Sequence, residues 1–163
     1  VNSEARQIWQ YTLSNGQFQR VTNDNSSYSF LSSSDDGKSV VTSVHDGFSQ
    51  IWIADADKMD FHSIKAGANG IDRVGWTADG RIIFSAVVNK VESIFVVDAG
   101  GSNQRQITKG DDGLWLAPSV SSDGRSLLYA STRPDLNQLC RVHLVRQNLA
   151  YLTNLHVLNT NRG

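Results

Sequence analysis

The chain has 163 residues, 39% of them hydrophobic and 19% charged, with a formal net charge of −1. That composition fits a globular domain with a real core and excludes a disordered tract. It leaves no electrostatic case for nucleic acid or an anionic membrane surface, because no surplus of Lys and Arg is available to displace counterions.

The opening, Val1-Asn2-Ser3-Glu4-Ala5, has neither the basic start nor the apolar run of a signal peptide, and it lacks an initiator Met. The expectation is a chain cut from something longer. No stretch approaches the roughly 18 apolar residues of a spanning helix, so no membrane insertion is expected. Cys140 is the single cysteine, which rules out an internal disulfide and leaves the redox compartment open.

Internal repeats dominate the pattern. An apolar pair opens a strand at Ile8-Trp9, Ile51-Trp52, Ile94-Phe95 and Leu139-Cys140, in steps of 43, 43 and 45 residues. A turn ending in Asp-Gly occurs at Ser34-Asp35-Asp36-Gly37, Thr77-Ala78-Asp79-Gly80 and Ser121-Ser122-Asp123-Gly124. A strand ends at Arg20-Val21-Thr22, Ser63-Ile64-Lys65, Gln106-Ile107-Thr108 and Tyr151-Leu152-Thr153. Three independent anchors that keep one period in the low forties, with several short strands per unit, predict four-stranded blades.

Taken in chain order, residues 6–22 read as a half blade, 23–65, 66–108 and 109–153 as three blades, and 154–163 as a tail. Within the central unit, Arg73–Thr77 is strand one and Ile82–Ala86 strand two, with Ile82 and Phe84 sharing a face at period two. Ile94–Val97 is strand three and Gln104–Thr108 strand four. Gly suits the Asp-Gly position because a tight hairpin needs positive φ there, and the Asp side chain can bond the turn. No sustained 3.6-residue apolar period predicts a helix. The fold class is therefore all-β, β-propeller blades of four antiparallel strands, about three and a half in number.

The pattern resembles the TolB-type, WD-like propeller repeat. Trp76-Thr77-Ala78-Asp79-Gly80-Arg81-Ile82 and Asp98–Thr108 carry the resemblance, which extends from about Arg6 to Thr153. It is nearest to the extracytoplasmic propellers that follow a Ser/Thr kinase domain in some bacteria, and so implies a periplasmic or extracytoplasmic setting that the residues themselves leave open. The repeat's usual strand-one Pro is present only as Pro118, with Leu31 and Val74 in its place elsewhere, and its usual Trp only as Trp76.

Closed propellers have four to eight blades. Three and a half implies either a piece of a longer chain, the preferred reading, or one of two self-assembling halves. Leu155 and Val157 alternate in the tail and suit an inner strand offered to a neighbour.

Strand order places the two-to-three and four-to-one connections on one face, and these are expected to be the longer, function-bearing loops. His45 and Asp46 lie in one, with the residue types of a base and its orienter, although adjacent side chains on a strand diverge and a plain loop is the simpler reading. Arg133 lies in another. Asp72 and Arg73 suit either a partner contact or a local ion pair at a strand start. Asp111, Asp112 and Trp115 sit on a third loop, with the indole either a partner anchor or a cap on the core. The acidic stretches Asn23–Asn25 and Asp55–Asp60 read as turns in preference to calcium loops.

No nucleophile elbow, phosphate loop or Rossmann spacing is present, so neither enzyme activity nor a cofactor or metal is expected in this chain. The expected role is a non-catalytic module binding a protein or small ligand at the loop face, with a homo-oligomer as the other possible partner arrangement. The alternatives are the gating propeller of a prolyl-oligopeptidase-type peptidase, and a glycan-binding propeller dependent on Trp115.

Overall fold

The computed structural model describes residues 5–46, 48–67, 70–108, 114–121, 123, 126–133, 136–143 and 155–158. A hairpin of β1 (Trp9–Thr12) and β2 (Gln17–Arg20) leads into three four-stranded antiparallel sheets. The first sheet is β3 (Ser27–Ser33), β4 (Ser39–Asp46), β5 (Phe48–Asp55) and β6 (His62–Ile64). The second is β7 (Val74–Trp76), β8 (Arg81–Val88), β9 (Val91–Asp98) and β10 (Arg105–Gln106). The third is β11 (Leu114–Val120), β12 (Ser126–Arg133), β13 (Leu136–His143) and β14 (Leu155–Leu158). Each sheet pairs its strands in chain order, which is the meander of a propeller blade, and no helix occurs among the described residues.

The repeat anchors have a common chemistry. At the turn before strand two, the Ser34 hydroxyl donates to Asp36 Oδ1 at 2.7 Å and accepts from the Ser39 amide at 3.0 Å. Thr77 repeats this with Asp79 and the Arg81 amide, and Ser121 with Asp123 and the Ser126 amide. Gly37 and Gly80 close their turns at φ 68° and 77°, where a side chain is strained. These bonds also hold the Asp36 carboxyl below the usual carboxylate range, chiefly through the Ser34 hydroxyl. The Ser/Thr-x-Asp-Gly spacing is thus a hydrogen-bonded bracket between strands one and two.

The strand-four anchor works differently. The Thr22 hydroxyl accepts from the Ile8 amide at 2.9 Å, and the Thr108 hydroxyl accepts from the Ile94 amide at the same distance. Arg20 and Gln106 each reach forward to the carbonyl of the Thr two residues on. The buried amides of Ile8, just before β1, and Ile94, within β9, are thus each satisfied by a threonine that follows the next strand.

Burial lies between sheets. Val41, Ile51, Ile53 and Ile64 of the first sheet meet Ile82, Phe84, Phe95 and Val97 of the second in one cluster. Ile83, Ile94, Val96 and Ile107 on the other face of the second sheet meet Leu127 and Tyr129 of the third. Ile8 seats the first hairpin against Tyr28 and Val44. β8 and β9 are therefore apolar on both faces, and Phe84 stacks on Phe95 with centroids 5.5 Å apart. Ile82 and Phe84 do share the face toward the preceding sheet, as their alternation predicts.

Two expectations need correction. The two-to-three connections are the shortest, not the longer ones: Asp46 pairs with Phe48 across one residue and Val88 with Val91 across two. The three-to-four connections, 56–61 and 99–104, are longer. Strands two and three are eight residues each and stay paired to their tips, leaving no slack to form a loop.

The last sheet also departs from the repeat. Its fourth strand is Leu155–Leu158 and pairs with β13, so this part of the tail completes its own sheet and is not offered to a neighbour. Tyr151–Thr153 lie outside the described residues. The register opposes Leu139 to Leu158, Cys140 to Val157, Arg141 to His156 and Val142 to Leu155.

Three stability outcomes follow. Replacing Thr77 with Val leaves the Arg81 amide without its hydroxyl acceptor and should cost about 1–3 kcal/mol in urea unfolding. Phe84→Ala should cost about 3–5 kcal/mol by the same measurement. Lys90 adopts φ 67° in the Asn89-Lys90 hairpin, so Lys90→Gly should add about 1 kcal/mol.

Candidate functional site

The described polar and aromatic side chains converge most at the seam between the first and second sheets. The inner strand β3 carries a bulge between Ser29 and Ser32, which takes Phe30 and Leu31 out of the ladder. Phe30 adopts φ 55°, a conformation that bulky residues avoid, and both side chains are left partly or largely exposed. The third sheet has its own bulge between Leu116 and Ser119, where Pro118 fits because an unpaired position needs no amide hydrogen. Strained backbone of this kind gathers at functional sites.

Arg73, at the head of β7, places its guanidinium carbon 4.7 Å from the centre of the Phe30 ring. Lower on the same seam, the Trp76 indole donates to the Ser32 carbonyl at 3.3 Å. One inner strand is thereby tied to the next by a cation–π contact and an indole hydrogen bond. Arg73 Nε is shielded from solvent without a hydrogen-bond acceptor, 4.0 Å from Asp72 Oδ2. With both side chains nearly half exposed, that pair contributes at most about 1 kcal/mol, similar to the ring contact.

One acid that sequence reasoning missed interacts electrostatically with Asp72 and Arg73. Glu92, near the start of β9, is only 8% exposed. Burial raises its pKa, and the nearby Asp72 charge adds to the rise, while the Ser85 hydroxyl and Arg73 oppose it. Ser85 is fully buried, and its own amide donates to the Arg73 carbonyl at 3.0 Å. The result is one exposed cation on an aromatic platform, flanked by an exposed and a buried carboxylate. The available signal was a single charged residue in Val91–Val97, where only Ser93 is otherwise polar.

The other expected site residues do not join this group in one place. His45 and Asp46 are paired strand residues at the end of β4, not a loop. His45 Nδ1 lies 3.0 Å from Ser49 Oγ, its cross-strand neighbour, on exposed surface. No third group among the described residues orients that imidazole, so the contact is a cross-strand pair near the tips of β4 and β5. Trp115 lies within β11 opposite Ser131, not on a loop, and Arg133 ends β12 opposite Leu136. Leu114-Trp115-Leu116 extends the inner strand because bulky residues favour a paired strand. Asp111 and Asp112 lie outside the described residues.

The acidic turns are spoken for by the backbone. Asp55 Oδ1 accepts from the amides of Asp57 and Lys58. Asp24 accepts from the Ser26 amide and, at 2.6 Å, from the Tyr28 hydroxyl. That hydroxyl is held above its usual pKa, mainly by burial and then by the bond to Asp24.

Consecutive four-stranded meanders packed face to face define the fold: blades of a β-propeller. The chain is similar to TolB from Acinetobacter baumannii, with a TM-score of 0.78 and 18% identity over 94% of this chain and 37% of that one. It is equally similar to a putative TolB from Agrobacterium tumefaciens, with a TM-score of 0.78 and 19% identity over 98% of this chain and 58% of that one. A prolyl endopeptidase structure matches with a TM-score of 0.67 and 15% identity, over 89% of this chain and 23% of that one. The chain thus spans less than two thirds of the length of each. At these identities the likeness is one of fold. No protein-family model and no curated protein sequence matches the chain.

The buried acid yields a pH prediction. A carboxyl whose pKa is higher folded than unfolded gives stability that is complete below the unfolded value and lost as pH rises through the folded one. Glu92→Gln should therefore melt above the parent at neutral pH, with the gap closing as pH falls toward about 4, the ordinary Glu range. Equal melting temperatures at every pH would show that Glu92 carries no such cost.

Proposed function

We propose that this propeller segment is a non-catalytic binding module, and that the seam formed by Phe30, Asp72 and Arg73 is where a protein or small ligand makes contact. The observation that supports this most is the strained Phe30, whose ring lies exposed beneath the Arg73 guanidinium. An aromatic side chain and an arginine together are the types that anchor binding surfaces. Asp72, exposed beside Arg73, favours a contacting group with a positive or hydrogen-donating edge beside the apolar contact.

The reading as non-catalytic rests on the chemistry of the group. It contains no nucleophile held by a base, and its most perturbed acid, Glu92, is buried. The parent protein is read as a larger TolB-like or kinase-linked sensor. A second reading, the gating propeller of a prolyl-oligopeptidase-type enzyme, draws support from the fold likeness to a prolyl endopeptidase. A hydrolase module in the same polypeptide would favour that second reading.

A peptide array probed with the labelled chain tests the binding site. Peptides captured by the parent should be lost on Arg73→Ala and Phe30→Gly, and kept on Asp57→Ala, in the exposed connection from strand three to strand four. A loss of about tenfold in affinity corresponds to the removal of one modest anchor. Capture unchanged by Arg73→Ala would overturn the assignment of the seam.

A further inference from the structure

The inner strands of the first two sheets share one backbone bulge. In β3, Ser29 pairs with Ser43 and Ser32 with Val41, so Phe30 and Leu31 lie opposite Thr42 alone. Ahead of β7, the Asp72 amide donates to the Ser85 carbonyl and the Ser85 amide donates to the Arg73 carbonyl, each at 3.0 Å. The regular ladder then begins with Val74 against Phe84, so Asp72 and Arg73 share the single opposing residue Ser85. Asp72 and Arg73 follow Ser29 and Phe30 by 43 residues each, which makes them repeat equivalents.

Buried hydroxyls hold both bulges. The Ser29 carbonyl accepts from Thr42 Oγ1 and Ser43 Oγ at 2.9 Å each, and Ser85 Oγ accepts from the Arg73 amide at 3.4 Å. Thr42, Ser43 and Ser85 are fully buried. The side chains that the bulges re-aim are therefore carried on fixed backbone, which lowers the ordering cost of binding. Asp72 and Arg73 belong to the sheet that has a neighbour on both faces, so their exposure does not arise from an uncovered sheet.

The Phe30 ring backs the Arg73 guanidinium at 4.7 Å, and among the described residues the arginine side chain makes no hydrogen bond. Asp72 Oδ2 lies 4.0 Å from its Nε, and both side chains are nearly half exposed. A donor and an acceptor thus stand side by side at the surface. An anion drawn to Arg73 would also meet Asp72 and the acid Glu92, which interacts with both. A cation drawn to Asp72 would meet Arg73. A neutral group with a donor and an acceptor on one edge meets neither penalty. One residue of an extended peptide has such an edge, since its N–H and C=O point the same way, as they do in an antiparallel ladder.

We infer that the seam binds one residue of an extended peptide through its main chain, with the peptide C=O accepting from Arg73 and the N–H donating to Asp72. This rests on the seam being a binding site and adds the chemistry that it binds. Recognition of this kind needs no particular side chain at the bound residue.

A captured peptide and its N-methylated series, one amide at a time, test the contact by fluorescence polarisation on the parent and on Asp72→Ala. One N-methyl position should weaken binding to the parent about tenfold, and should leave the already weakened binding to Asp72→Ala unchanged. Replacing each peptide side chain with Ala should reveal no requirement for an acidic or basic residue. Asp72→Ser, which installs the residue found at the equivalent Ser29, substitutes should Asp72→Ala not fold. N-methyl effects of equal size in parent and variant overturn the main-chain contact. Dependence on one acidic, basic, Asn or Gln side chain, with every N-methyl group tolerated, overturns it too, as does a parent that captures no peptide. If Arg73→Ala abolishes capture while N-methylation stays uncoupled from Asp72, the main-chain contact fails and the seam still stands as the binding site. If Arg73→Ala leaves capture unchanged, both fall.

Discussion

The constraint on which this molecule depends is that its middle strands are buried on both faces. β8 and β9 place Ile82, Phe84, Phe95 and Val97 toward one neighbour and Ile83, Ile94 and Val96 toward the other. Such a sheet is not stable in water on its own, because half of its apolar area remains wet unless another sheet covers it. Burial is shared between neighbouring sheets. The second sheet, covered on both sides, has the most completely buried strands, whereas every residue of β1 and β2 is exposed.

The polar repeat elements serve that packing. Ser34, Thr77 and Ser121 each accept an amide at the turn before strand two, and Thr22 and Thr108 accept the amides of Ile8 and Ile94. These are the positions that make the period visible. The seam around Arg73 arises because the bulge in β3 leaves Phe30 where the guanidinium of the next sheet reaches it.

The candidate site was only partly legible because its members come from three strands of two sheets. Asp72 and Arg73 could be singled out from sequence as a charged pair at a strand start. Phe30 gave no such signal, since nothing local marks the backbone bulge that re-aims it. Glu92 looks like an ordinary surface acid until β9 is known to be covered on both sides. Conversely, His45, Asp46, Trp115 and Arg133 were assigned to loops because loops carry function, but pairing extends strands two and three to their tips and takes in Trp115 on strand one.

The sequence by itself determined the all-β class, the four-strand unit and the turn chemistry, because each depends on residues within about forty positions and is repeated along the chain. It determined that Ile82 and Phe84 share a face, since alternation is a local property of a strand. Only the tertiary structure decided that Leu155–Leu158 pairs with β13 in the last sheet. Only the tertiary structure, likewise, decided which apolar faces are covered. Trp9 and Phe95 occupy the same place in the repeat, and the difference between them is the presence of a neighbouring sheet.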